Sequence, residues 1–203
     1  MLNPMSLKEA KQKAIDNAIN RLKAADFQKQ CNIAGLPQPE NGAICFRAFG
    51  ADMVLRCDDF SLATSDGVSV GPERQVLVLH YLLNEQPFSE GGELIAFRHF
   101  PGGQFYESPF QARTVVPLVK AIGNDLGKLK NALARFDTTP VDTGDIGARI
   151  HVMGKIYLTL IYRAGDEEFG PSANILFDAC AAKVFAAEDA VAMASMACFR
   201  LIK

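Results

Sequence analysis

Two short stretches of this chain carry side chains that could do chemistry. One is Asp166-Glu167-Glu168, three consecutive carboxylates entered through Gly165 and left through Gly170-Pro171, with Asp178 closing the apolar patch behind them. The other is Arg98-His99-Phe100-Pro101-Gly102-Gly103, a cation and an imidazole beside a glycine turn, with Tyr106 at its exit. If Asp166 and Glu168 share one side of an extended segment, the two like charges raise one pKa or call for a cation between them. A hard ion such as Mg²⁺ prefers oxygen ligands of this kind. Arg98 could instead supply the counter-charge as a bidentate fork, leaving His99 as a candidate general base. Plainer roles compete at each position. An acidic triplet after a strand is commonly a solvated loop, Asp178 suits the N-cap of a short helix, and a buried His80 satisfied by a hydrogen bond needs no ligand.

No nucleophile constellation accompanies these stretches. The chain has no G-x-S-x-G, no H-E-x-x-H, no Walker-type phosphate loop and no G-x-G-x-x-G. Its five cysteines, Cys31, Cys45, Cys57, Cys180 and Cys198, form no C-x-x-C pair. That spacing disfavours a disulfide framework, a structural zinc site and an iron–sulfur site. Cys45 and Cys57 are expected to face each other across a hairpin as buried structural thiols.

The acids are delivered by Lys155–Arg163, the most apolar strand-like run, and the glycine turn by a strand over Glu93–Phe97. Along an extended strand Arg98 and His99 would point to opposite sides. A first helix is expected over Ser6–Gln30, with Ser6 and Glu9 as its capping box. Strands at Ile44–Phe49 and Met53–Cys57 flank a turn at Gly50-Ala51-Asp52. Ser65-Asp66-Gly67 then separates Ser61–Thr64 from Val68–Val70 in a short meander. Pro72 opens a helix over Glu73–Glu85 with almost no polar face, central to the core. Thr114–Ile122 and Asp125–Phe136 are helical patterns broken at Gly123. The polar stretch from Asp137 to Gly147 is the longest loop and the expected mobile segment. Arg149–Met153 is a further strand, with Gly154 as a bulge or bend. Asp178 would cap a helix over Ala179–Phe185, and Glu188-Asp189 begin the terminal helix.

With 203 residues, 49% of them hydrophobic, the chain can bury a core and suits one domain spanning 1–203. A formal net charge of −2 gives no footprint for nucleic acid. No apolar run is long enough to span a bilayer, and no export signal is visible. The expectation is a cytoplasmic protein without a nucleic-acid or membrane partner.

Three segments, LVLHYLLNEQP, GELIAFRHFPGGQFYESPF and YRAGDEEFGPSANILFD, resemble in that order a bacterial and archaeal family known as a domain of unknown function, DUF3786. Its most specific marks are F-R-x-x-P-G-G-x-x-Y, matched by Phe97, Arg98, Pro101, Gly102, Gly103 and Tyr106, and G-D-E-E-F, matched by Gly165–Phe169 with Leu176, Phe177 and Asp178 behind it. His80 and Tyr81 match the His-Tyr of the helix. The resemblance implies a protein of anaerobes, accessory to redox or corrinoid-linked one-carbon enzymes. Some relatives carry an added cysteine-rich iron–sulfur domain, a motif this chain does not show.

The expected fold is α+β. A mainly antiparallel sheet from 44–70, 93–98 and 149–163 is packed by the N-terminal, central and C-terminal helices, because early hairpins without regular helix alternation disfavour a doubly wound fold. The expected function is a non-catalytic binding or accessory module for a small molecule or protein. Its surface would join Arg98, His99, Gly102, Gly103 and Tyr106 to Asp166, Glu167, Glu168 and Asp178 in one cavity. The rival is a metal-assisted, hydrolase-like enzyme that uses Asp166, Glu168 and Asp178 with His99 or His80. The residues name no cofactor, ligand or oligomeric state.

Overall fold

The computed structural model describes residues 6–203; the first residues of the N-terminal segment, 1–5, lie outside it. The fold is α+β with antiparallel strand pairing, as expected. The chain divides into two compact units. One comprises residues up to Phe46 together with Asp52–Phe88, the other Arg47–Ala51 together with Ser89–Lys203.

In the first unit, helix α1 (Leu7–Ala24) opens on the expected capping box: Ser6 Oγ accepts from the Glu9 amide and Glu9 Oε2 from the Ser6 amide. The expected single helix to Gln30 is in fact two. Asp26 leaves helical geometry and its carboxylate takes the Lys29 amide, which starts α2 (Phe27–Ala34). Strands β1 (Ala43–Ala48) and β2 (Ala51–Arg56) follow. Their turn is Phe49-Gly50, one residue earlier than the glycine signal suggests, with φ of 53° and 68°. Positive φ at both positions matches the twist of a two-residue hairpin. β3 (Leu62–Thr64) pairs with β2, Leu62 opposite Leu55. Val68–Val70 forms no strand and contributes only a bridge from Ser69 to Ala63. Helix α3 (Pro72–Leu82) packs against α1 and buries Leu77, Val78, Leu79, Tyr81 and Leu82. His80 is half-buried on it. Tyr81 donates its hydroxyl to the carbonyl of Ala34, tying α3 to the end of α2. Cys45 is exposed and Cys57 half-buried, so the expected buried pair does not form. Burial falls instead on Cys31, whose thiol it pushes up to about 11.

The second unit carries β4 (Leu94–Ala96), α4 (Glu107–Arg113), α5 (Val115–Ile122), α6 (Leu126–Leu133), β5 (Thr138–Pro140), β6 (Ile146–Met153), β7 (Ile156–Arg163), β8 (Ser172–Asp178), α7 (Ala181–Val184) and α8 (Ala187–Ile202). β6, β7, β8 and β4 pair in that order, and β5 lies on the other edge of β6. Thr159 of β7 sits between Arg149 of β6 and Leu176 of β8, and Leu176 faces Ala96. Side chains alternate along a strand, so Ala148, Ile150, Leu158, Leu160, Tyr162, Ile175 and Phe177 form the buried face, with α5 packed over β8 and α8 over α5.

Three expectations change here. The stretch expected to be mobile is pinned: Thr138 and Pro140 pair with Ile150 and Ala148, an edge position where proline's missing N–H costs no ladder bond. Gly147 permits the close return, since a Cβ there would lie 2.3 Å from the Val141 carbonyl oxygen. The Glu93–Phe97 strand stops at Ala96, and Phe97–His99 turn into 3₁₀ geometry. Finally, Glu107–Arg113 is a helix where the sequence pattern predicts none. Among the described residues, no helix is long and apolar enough to cross a membrane.

Candidate functional site

The loop from Phe97 to Glu107 is fixed from below and open above. Phe97 stacks on Phe110 with ring centroids 4.4 Å apart, and Phe100 meets Phe177 edge-on at 4.9 Å. These anchors alternate with outward residues, so the 3₁₀ turn leaves both Arg98 and His99 in solvent. Neither side chain makes a hydrogen bond or ion pair to a described residue. Gly103 is buried against the same turn, and a Cβ there would come 2.3 Å from the Phe97 carbonyl oxygen. Gly102 takes φ +77°. Together the two glycines throw the chain outward, so Phe105 is 78% and Tyr106 53% exposed. Next comes Glu107. Its Oε1 accepts from Gln111 Nε2 at 2.9 Å, while its Oε2 is buried without a partner. A carboxylate oxygen so placed lacks the donor that burial normally requires.

The acidic triplet occupies the tip of the β7–β8 hairpin, where Asp166 folds the turn. Its Oδ1 accepts from the amides of Phe169 and Glu168 at 2.7 and 2.9 Å, which holds the carboxyl below its ordinary range. Glu167 and Glu168 are solvated. Asn124 secures the tip from the α5–α6 junction, accepting from the Gly165 amide at 2.8 Å and donating to its carbonyl at 3.3 Å. Asn124→Ala should therefore cost about 1 kcal/mol, two exposed hydrogen bonds at their low net value. Faster amide exchange at 165–169 would accompany it; unchanged exchange there would contradict this role for Asn124.

Asp178 corrects the helix-cap expectation. It is the last residue of β8, and its side chain, 3% exposed, accepts at Oδ2 from Arg149 Nη2 at 2.8 Å and from the Gly91 amide at 3.2 Å. α7 starts at Ala181, and Cys180 before it supplies no side-chain cap. Burial, and then the neighbouring Asp178 charge, raise the Cys180 thiol above its ordinary value. Arg149 lies over the ring of Tyr157, 3.5 Å from its centre, and His151 sits beside the same ring at 5.1 Å.

Asp178 lies apart from Asp166 and Glu168, while the 98–106 loop is anchored beside the end of β8 through Phe100 and Phe177. Asp166 and Glu168 precede β8 and Asp178 ends it, so about 20 Å of strand lies between them. No hydrogen bond or ion pair joins the 98–106 loop to the 165–169 tip among the described residues. Among the same residues, no group of three or more His, Cys, Asp or Glu is placed to hold a metal ion. His80 belongs to α3 of the other unit. Sequence reasoning missed Glu107, which directly follows the quoted motif, and Arg149 with Tyr157. The period-2 pattern Ile146, Ala148, Ile150, Val152 does place Arg149 and His151 on the opposite, polar face of β6.

Comparison with curated proteins and with solved structures gives no match. A family model described as a domain of unknown function (DUF3786) matches residues 26–200, the stretch that holds the aromatic-anchored loop, the acidic hairpin and the Arg149–Asp178 pair; the chain belongs to that family.

Proposed function

We propose that the chain is a non-catalytic binding module whose recognition surface is the 98–107 loop and whose partner is a protein. The role is accessory, in the anaerobic redox or corrinoid-linked metabolism that the family resemblance implies. The observation that carries this reading is the pair Phe105 and Tyr106, exposed side by side on a backbone that buried rings hold rigid. Solvent-facing aromatics cost hydration, and with the arginine of the same loop they belong to the residue types that dominate protein interfaces. The rigid turn also lowers the entropy lost when the loop is ordered in a complex. Arg98 and His99 supply polar contacts at the rim.

The test is affinity capture from an extract of the organism that makes the protein, with the intact chain and with F105A/Y106A as baits. The expected result is one protein retained by the intact chain and lost from the variant, with both baits melting at the same temperature. Equal retention by the two baits would remove the loop from recognition.

A further inference from the structure

We propose that the polar face of the second unit's sheet holds a separate site, centred on Arg149, for the carboxylate group of a small organic acid. Arg149 has five N–H donors, and one of them, on Nη2, is used by Asp178. Here the guanidinium is held at one corner by Asp178 and centred 3.5 Å over the Tyr157 ring, so its position is restrained from two sides while its remaining donors have no acceptor among the described residues. Asp178 is fixed in turn, because its Oδ2 also takes the Gly91 amide. The side chain of Arg149 remains 28% exposed, which leaves the free edge open to solvent. A restrained fork with an open edge fits a planar, two-oxygen anion.

Charge selects among such anions. Asp178 already balances Arg149, so a singly charged carboxylate is better compensated than a doubly charged phosphate. His151 borders the site through Tyr157. Its Nε2 donates to the Gly154 carbonyl at 3.0 Å, which leaves Nδ1 as the nitrogen free to meet a ligand hydroxyl or N–H.

The chain has no tryptophan and four tyrosines, so tyrosine emission reports on the ring beneath Arg149. Acetate, benzoate and inorganic phosphate would be titrated into the whole protein, followed by emission and by calorimetry. Both carboxylates should bind saturably at one site with Kd of about 1 mM or tighter, and phosphate about tenfold more weakly. R149K keeps the charge but not the fork, and should lose about tenfold or more in carboxylate affinity. Y157F removes the reporting phenol, and should lose the emission change. Three results would overturn the site: no saturable binding, equal affinity in R149K, or phosphate binding tighter than both carboxylates. If R149K does not fold, the intact chain and Y157F decide, since an emission change that survives in Y157F places the ligand elsewhere. The outcome is independent of whether the 98–107 loop binds a protein.

Discussion

Arg149→Met is expected to lower the free energy of unfolding by about 3 kcal/mol or more. A buried carboxylate left without its counter-charge costs about 3–5 kcal/mol, far more than the intact pair contributes. The asymmetry of exposure sets the size: Asp178 is 3% exposed against 28% for Arg149, so the penalty lies in the desolvated acid. The Gly91 amide stays in place and holds the loss to the low end of that range. R149M/D178L removes the stranded charge along with its partner, and should recover to within about 1 kcal/mol of the parent. Urea unfolding of the three proteins at neutral pH measures both differences. A single substitution within about 0.5 kcal/mol of the parent would mean that Asp178 reaches water when Arg149 is gone.

Phe110→Ala should be as costly, at about 3–5 kcal/mol, because it deletes a ring that is buried and stacked on Phe97 at 4.4 Å. The damage should not stay local. Phe97 and Phe100 hold the two ends of the turn that carries Arg98 and His99, and the stack of Phe97 on Phe100 is looser, at 6.0 Å. Faster amide exchange across 97–103 is the expected companion of the lost stability. Phe105→Ala, a few residues away on the same loop, removes a ring that is 78% exposed and should change stability by no more than about 0.5 kcal/mol. The contrast separates the residues that build the loop from those it displays. Equal destabilisation by the two substitutions would show that Phe105 is packed.

The sequence makes the scaffold legible because burial repeats at the period of each element. Helix α3, the terminal helix and strands β6 and β7 stand out as apolar stripes or alternations, and Ser6 with Glu9 marks the first helix start. Breaks set by one side chain are harder to see. Asp26 looks like a solvated helical residue until its carboxylate takes the Lys29 amide. Thr138–Pro140 has the composition of a loop and becomes a strand only because β6 offers an edge. In the candidate region, the glycine turn and its flanking aromatics were visible as a motif. Their orientation was not, since a 3₁₀ turn after β4 replaces the strand geometry that alternation assumes. Asp178 shows the general difficulty: at the start of a short helix it reads as a cap, and only register with β7 and β6 brings it to Arg149. A long-range ion pair leaves no local spacing to read.

The central claim, that the 98–107 loop meets a protein partner, is tested most directly by placing a photo-crosslinking phenylalanine analogue at position 105 in the living cell. Position 199 serves as the control, because Phe199 is an exposed ring in the same unit but lies on α8. The prediction is a discrete adduct of one added mass from position 105 and none from position 199. No adduct at 105, or the same products from both positions, would contradict it.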